Sequence, residues 1–229
     1  MSRRSYSGRH SHGLPIAYTE LEYVRSPKSN AGFKVAFTVT GQIAGWKLKG
    51  RIVEVSGATA SGFWLGVYEQ TSPGHEWTLF KYIPSHSTYP NKSCFGFSYK
   101  VTNTSAAFER CFLNNDSVTD LQWASYINGN LTRFDGTTAT VTREVHPDFT
   151  SPYIGIGSMW RTLNNEGFRT EERNSSDFGY VALYKGNTMM YELIPCKRKS
   201  DGKVGMYDIL NDVFHYSETS TEFVAGPEL

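Results

Sequence analysis

Cysteine is scarce, a long apolar run is missing, and neither sign of charge dominates; each shortage removes a class of protein. Three cysteines, Cys94, Cys111 and Cys196, leave at least one unpaired, which suits a reducing cytosol better than a disulfide scaffold. A Cys94–Cys111 bridge stays open. The first residues, Met1-Ser-Arg-Arg-Ser-Tyr-Ser-Gly-Arg-His-Ser-His, lack the apolar core of a secretory signal, so export by that route is not expected. Asn-x-Ser/Thr triplets at Asn91, Asn103, Asn115, Asn130 and Asn174 accordingly read as polar loops rather than glycan acceptors. Lysine and arginine total 23 against 22 acidic residues, which argues against whole-domain binding to nucleic acid by phosphate neutralisation. No long helical stripe interrupts the chain, and no internal repeat or interdomain linker divides it.

What is present is alternation. Hydrophobic residues make up 39% and charged residues 20% of 229, enough to fold and too polar for a membrane span. Residues 1–13 are rich in Ser, Arg, Gly and His and read as an arm outside the fold, leaving 14–229 as one domain. Phe33, Val35, Phe37 and Val39 share one face of a predicted strand, and Ile52, Val53 and Val55 fall in another. Further strands are expected at 63–68, 77–83, 95–101, 107–113, 121–127, 137–145 and 153–159. Asn128-Gly129 predicts a tight hairpin, because both residues tolerate positive φ. A second hairpin is expected to join Phe178–Tyr184 to Met189–Ile194 through Lys185-Gly186-Asn187, with Pro195 ending its second strand. Many short strands with frequent turn signals point to an all-β sandwich or jelly roll, since two sheets can cover each other's apolar faces.

The C-terminal stretch carries a more specific pattern: Gly179-Tyr-Val-Ala-Leu-Tyr-Lys-Gly-Asn, then Tyr191-Glu-Leu-Ile-Pro-Cys-Lys-Arg-Lys-Ser-Asp-Gly-Lys-Val-Gly-Met-Tyr-Asp, ending Phe223-Val-Ala-Gly-Pro-Glu. It resembles the close of concanavalin A-like, laminin G-like domains of gut bacteria and their phages, which end on a similar Ile-Pro-Cys, Ser-Asp-Gly, Gly-Leu-Tyr-Asp and Phe-x-Ala-Gly-Pro series. Met206 stands where that series has leucine. Leu14-Pro-Ile-Ala-Tyr-Thr-Glu-Leu-Glu-Tyr-Val resembles the family's entry strand, whereas Arg25-Ser-Pro-Lys-Ser-Asn-Ala-Gly departs from its usual continuation. The resemblance implies a concanavalin A-like (jelly-roll) antiparallel β-sandwich. It further implies a virion structural protein: a head-surface, fibre or tail component, made in the host bacterial cytoplasm. Its partners would be other virion proteins, copies of itself and host-surface glycans. The rival is a soluble carbohydrate-binding module of a gut bacterium; a glycoside hydrolase comes third.

The terminal motif also has a structural explanation. Ser200-Asp201-Gly202 reads as a turn, Val204–Ile209 as a strand and Leu210-Asn-Asp as the next turn. Phe214, Tyr216 and Phe223 are then expected to pack on Tyr18, Leu21 or Tyr23, with Gly205 and Gly226 serving the backbone.

No residue pattern here nominates an enzyme. A sandwich glycosidase needs two carboxylates across a scissile bond. Glu20-x-Glu22 reads instead as solvated edge carboxylates, and Glu171-Glu172, flanked by Arg169 and Arg173, as a charged loop. No Gly-x-Ser-x-Gly elbow occurs. His10-x-His12 lacks the further ligands of a closed zinc site, so no metal is assigned; Asp116, Asp120 and Asp135 could serve calcium by type only. Among the aromatics Trp64, Tyr68, Trp77, Trp123, Tyr126 and Trp160, core packing is the commoner role. The candidates for glycan stacking are Trp77 with His75 and Trp160 with Arg161, where polar, loop-like neighbours flank a ring. Arg3, Arg4, Tyr6 and Arg9 are the candidates for docking the arm on a partner. Far-ultraviolet circular dichroism should be dominated by β structure, and a helix-rich spectrum would reject the fold assignment.

Overall fold

The structure is a computed structural model, described over residues 13–27, 31–40, 46–54, 62–69, 75–81, 93–102, 105–112, 121–127, 130–133, 138–140, 150–162, 167–168 and 175–229. All regular structure among these residues is β. In chain order the strands are β1 (Tyr18–Glu20), β2 (Val24–Ser26), β3 (Phe33–Thr40), β4 (Trp46–Glu54), β5 (Gly62–Glu69), β6 (His75–Lys81), β7 (Ser93–Thr102), β8 (Ser105–Phe112), β9 (Leu121–Ile127) and β10 (Asn130–Arg133). There follow β11 (Thr138–Thr140), β12 (Thr150–Ile156), β13 (Trp160–Thr162), β14 (Gly167–Phe168), β15 (Ser176–Lys185), β16 (Thr188–Arg198), β17 (Val204–Asp208), β18 (Val213–Tyr216) and β19 (Val224–Ala225).

They form two sheets. The larger runs β11-β10-β9-β4-β15-β16-β17-β18, with β1, β2 and β19 attached; the smaller runs β14-β13-β5-β6-β7-β8, with β12 bridging β5 and β3. Phe33, Val35 and Phe37 of β3, Leu65 and Val67 of β5, and Ile154 and Ile156 of β12 belong to the smaller sheet. They join one buried cluster with Ile52, Phe178, Val181, Leu183, Leu193 and Met206 of the larger sheet. That shared cluster makes the fold a β-sandwich. Each fully buried side chain of this kind contributes about 1.5–3 kcal/mol by leaving water.

The expected alternation in β3 is observed: Phe33, Val35 and Phe37 are buried, while Ala36 and Thr38 are exposed. Ile127 pairs with Asn130, so β9 and β10 form the expected hairpin with a two-residue connection. In the β15–β16 hairpin Lys185 pairs with Thr188, and Gly186 takes φ 60°, as a hairpin turn of matching twist requires. Of the expected strand 137–145, β11 covers 138–140, and 141–149 lie outside the described residues.

Pro195 does not end its strand. β16 continues to Arg198, with Pro195 opposite Met206. A strand residue points its N–H and C=O at the same neighbour, which for Pro195 is the entry segment. There its carbonyl accepts the Leu21 amide at 2.9 Å, and the ladder to β17 is undisturbed. The smaller sheet also departs from a purely antiparallel plan. β12 is antiparallel to β5 and β13 parallel to it, because the chain reverses across residues 157–159 and returns along the same edge.

Between β15 and β16 the ladder opens beyond Val181–Leu193, and the entry segment fills the gap. β1 pairs with Cys196–Arg198 and β2 with Ser176–Phe178. The C-terminal tail closes the other side: Glu22 donates to Pro227 O at 2.8 Å, Gly226 to Tyr23 O at 3.0 Å and Leu229 to Glu20 O at 3.0 Å. Gly226 permits that approach, since a Cβ there would lie 2.7 Å from Tyr23 O.

Asp208, with no exposed surface, holds the next corner. Its Oδ1 accepts the amides of Glu192 at 3.2 Å, Leu210 at 3.1 Å and Asn211 at 3.4 Å, and its Oδ2 accepts the Asn211 side-chain amide at 2.6 Å. Gly205 is a backbone device of the β17–β18 pair, where a Cβ would stand 2.1 Å from His215 O. Gly205→Ala should destabilise the fold by about 2–3 kcal/mol, read as a lowered urea midpoint at unchanged slope; an unchanged midpoint would refute the close approach.

Candidate functional site

The four sequence-derived glycan candidates come together in one corner of the smaller sheet. Val67 of β5 pairs with Trp77 on one side and Trp160 on the other, while Glu69 pairs with His75 and Thr162. His75, Glu76 and Arg161, read from sequence as loop-like neighbours of these rings, lie within the strands themselves. Trp160 is corrected further. Its ring is 6% exposed, meets Phe168 edge-on at 5.2 Å and Tyr153 at 6.0 Å, and lies under the Lys34 ammonium at 4.2 Å. A ring so covered has no free face for a sugar. Gly155 makes the packing possible: a Cβ there would sit 2.3 Å from Ser158 O and 2.7 Å from Trp160 N. Arg161 is half-buried beside Tyr68, its register partner.

Arg3, Arg4, Tyr6, Arg9, His10 and His12 lie outside the described residues, as do Asp116, Asp120, Asp135, Glu171 and Glu172. No group of three or more His, Cys, Asp or Glu side chains suited to a metal occurs among the described residues. Among those residues, too, no helix is long and apolar enough to cross a membrane. Cys94 pairs with Phe112 and Cys111 with Phe95, so the two cysteines are not register partners. Cys196 is free and buried, and burial pushes its thiol up to about 12, which keeps it protonated and unreactive at neutral pH.

A second cluster, on the larger sheet, was read from sequence only as structure. The Ser200-Asp201-Gly202 turn forms as expected, with Gly202 at φ 73° and its amide donating to Arg198 O at 2.9 Å. The Asp201 carboxylate accepts Arg198 Nε at 3.0 Å and Nη2 at 2.6 Å, and the Lys203 amide at 3.2 Å. These bonds pull Asp201 down to about 2. So fixed, the Arg198 guanidinium stands 4.9 Å from the Phe214 ring centre and 6.0 Å from that of Tyr216. Lys203 Nζ lies 4.2 Å over Tyr216. Tyr18 packs on Phe214 at 5.2 Å, as foreseen, and on Tyr207 at 4.7 Å. Tyr207 donates to Asp212, a bond that pushes the phenol up to about 12. Phe223 shares the buried cluster with Leu21 and meets Phe33 at 6.1 Å.

The result is an aromatic floor of Tyr18, Phe214 and Tyr216 carrying two cations, with Tyr216 40% exposed. The signal was legible: four cations within Lys197–Lys203 stand opposite a lone carboxylate. Nothing in sequence spacing showed that β18 would bring Phe214 and Tyr216 beneath them.

No family model, curated protein or solved structure matches the chain.

Behind the floor, His215 stacks on Phe33 at 5.0 Å. Burial lowers its pKa from 6.5, outweighing the opposite pull of Asp208 and Glu218; Lys34 pairs with Glu218 at 3.4 Å. The unfolded chain therefore binds this proton more readily. Stability should be complete above about pH 6.5 and fall as pH drops below it, with a second fall below about pH 4 as Asp201 protonates. His215→Gln should abolish the first fall in urea midpoint and leave the second. Persistence of the first fall in that variant would assign it elsewhere.

Proposed function

We propose that this protein is a non-enzymatic virion structural component of a bacteriophage, whose concanavalin A-like, jelly-roll sandwich serves assembly and host-surface attachment. The observation that carries this reading is the use made of the C-terminal signature. Its Asp208 carboxylate, Gly205, Gly226 and Ser-Asp-Gly turn hold strands together. Residues that repeat a family's ending for structural reasons support descent of the fold, with function placed on the surfaces that the fold presents. The surface offered is a floor of rings and cations suited to binding.

Other virion proteins, copies of itself and host-surface glycans are the partners this reading requires. The arm at residues 1–13, with three arginines and no acid, is assigned to docking on a neighbouring subunit through Arg3, Arg4 and Arg9 on carboxylates and Tyr6 in an apolar groove. Deleting residues 2–12 should leave the urea midpoint unchanged, since the paired strands begin at Tyr18, while recovery of the chain in purified virions falls about tenfold or more. Equal recovery would reject the docking role of the arm. Failure of the intact chain to co-sediment with virions would reject the virion reading itself.

A further inference from the structure

We propose that the outer face built from Tyr18, Arg198, Lys203, Phe214 and Tyr216 binds a carboxylate-bearing polysaccharide, with sugar rings on the aromatic floor and carboxylates on the two cations. The proposal deepens the attachment half of the function proposed above and is independent of the protein's place in a virion.

Three observations converge on it. The first is charge segregation. Lys197–Lys203 carries +3 and residues 1–13 carry +3, so the remainder of a chain of formal net charge +1 carries −5. Positive charge gathered at one hairpin of an otherwise acidic chain steers anions to that hairpin. The second is preorganisation. Arg198 is clamped by two bonds to Asp201 and leans on Phe214, so little side-chain freedom is lost when an anion arrives. Lys203 leans on Tyr216 and, among the described residues, is in no ion pair, so its charge is offset only by the nearby Asp201. The third is exposure: Tyr216 is 40% exposed, and Arg198 and Asp201 keep 30% and 39% of their side-chain surface open to solvent.

The ring content selects the ligand class. A phosphate backbone is met by cations spaced along a track, with aromatic rings useful only where bases are unstacked. Here the cations sit on the rings, within one small patch. A uronic acid polymer presents the matching alternation, an apolar C–H face on each pyranose and one carboxylate beside it. Neutral sugars would offer no carboxylate to Lys203, nor to the Arg198 donors that Asp201 leaves over.

The test titrates the full-length chain with polygalacturonate, with its fully methyl-esterified form and with single-stranded DNA at several salt concentrations. Polygalacturonate should bind, and esterification, which removes charge and keeps the backbone, should weaken binding about tenfold or more. Lys203→Glu and Tyr216→Ala should each weaken it about tenfold, while Tyr216→Phe retains it. Urea midpoints accompany each variant; should Tyr216→Ala fail to fold, Lys203→Glu carries the comparison. Equal binding of acid and ester, undiminished binding by Lys203→Glu, or no binding at all would overturn the proposal. DNA bound as tightly as polygalacturonate would overturn it in favour of unselective polyanion capture. Virion recovery of the same variants is scored separately, so absence from virions with binding intact rejects the virion reading and leaves this one standing.

Discussion

The fold depends on one act of strand filling. β15 and β16 leave their turn as a hairpin and then part, which exposes the facing edges of both strands over Ser176–Phe178 and Cys196–Arg198. Unpaired backbone groups at the middle of a sheet are expensive, so something must occupy the opening. The entry segment does so in two pieces, β1 on β16 and β2 on β15, and the C-terminal tail pairs along its far side. Residues more than 150 positions apart thus form one ladder: Arg25 lies opposite Asp177 and bonds it at 2.6 and 3.0 Å. That single junction buries Leu21, Val24 and Phe178 and fixes where both termini leave the domain.

The surface chemistry follows from the same junction. Because β1 lies against β16 with Tyr18 opposite Arg198, the entry strand delivers Tyr18 to the rings of Tyr207 and Phe214. β18 pairs with β17 on the other side, bringing Phe214 opposite Tyr207. The floor therefore has contributions from two distant parts of the sequence, β1 and β18, neither of which forms it alone. Gly205, opposite Tyr216 in this register, leaves the space that a side chain would fill. The arginine and lysine that lie over it belong to a turn whose own hydrogen bonds set their positions.

Sequence periodicity revealed individual strands better than their assembly. Alternation at Phe33, Val35 and Phe37 gave a strand and its buried face, because a period of two is a local property. Asn128-Gly129 and Gly186 gave hairpins, because turn geometry is local as well. Pro195 misled because whether a strand tolerates proline depends on which neighbour its nitrogen faces, and the entry segment bends there. Trp160 misled for a related reason. Polar neighbours suggested exposure, but burial came from Tyr153, Phe168 and Lys34, the last lying 126 positions away. The parallel placement of β13 had no local signal at all, since it follows from a chain reversal packed against Gly155.

The contrast between the two aromatic clusters bears on how a binding surface can be recognised in a sandwich. Both pair rings with cations: Lys34 over Trp160 in one, Lys203 over Tyr216 in the other, each at 4.2 Å. They differ in what neutralises the charge and how far the ring is sealed. Lys34 pairs with Glu218, and Trp160 is 6% exposed, so both halves of that contact are satisfied within the fold. Lys203 is in no ion pair among the described residues, and Tyr216 retains 40% of its surface. A cation–π contact at an exposed site contributes only about 0.5–1 kcal/mol, so it adds little to holding the sheet together. What it does is restrain a charged side chain beside an apolar face without neutralising it, and that is the arrangement an acidic sugar can use.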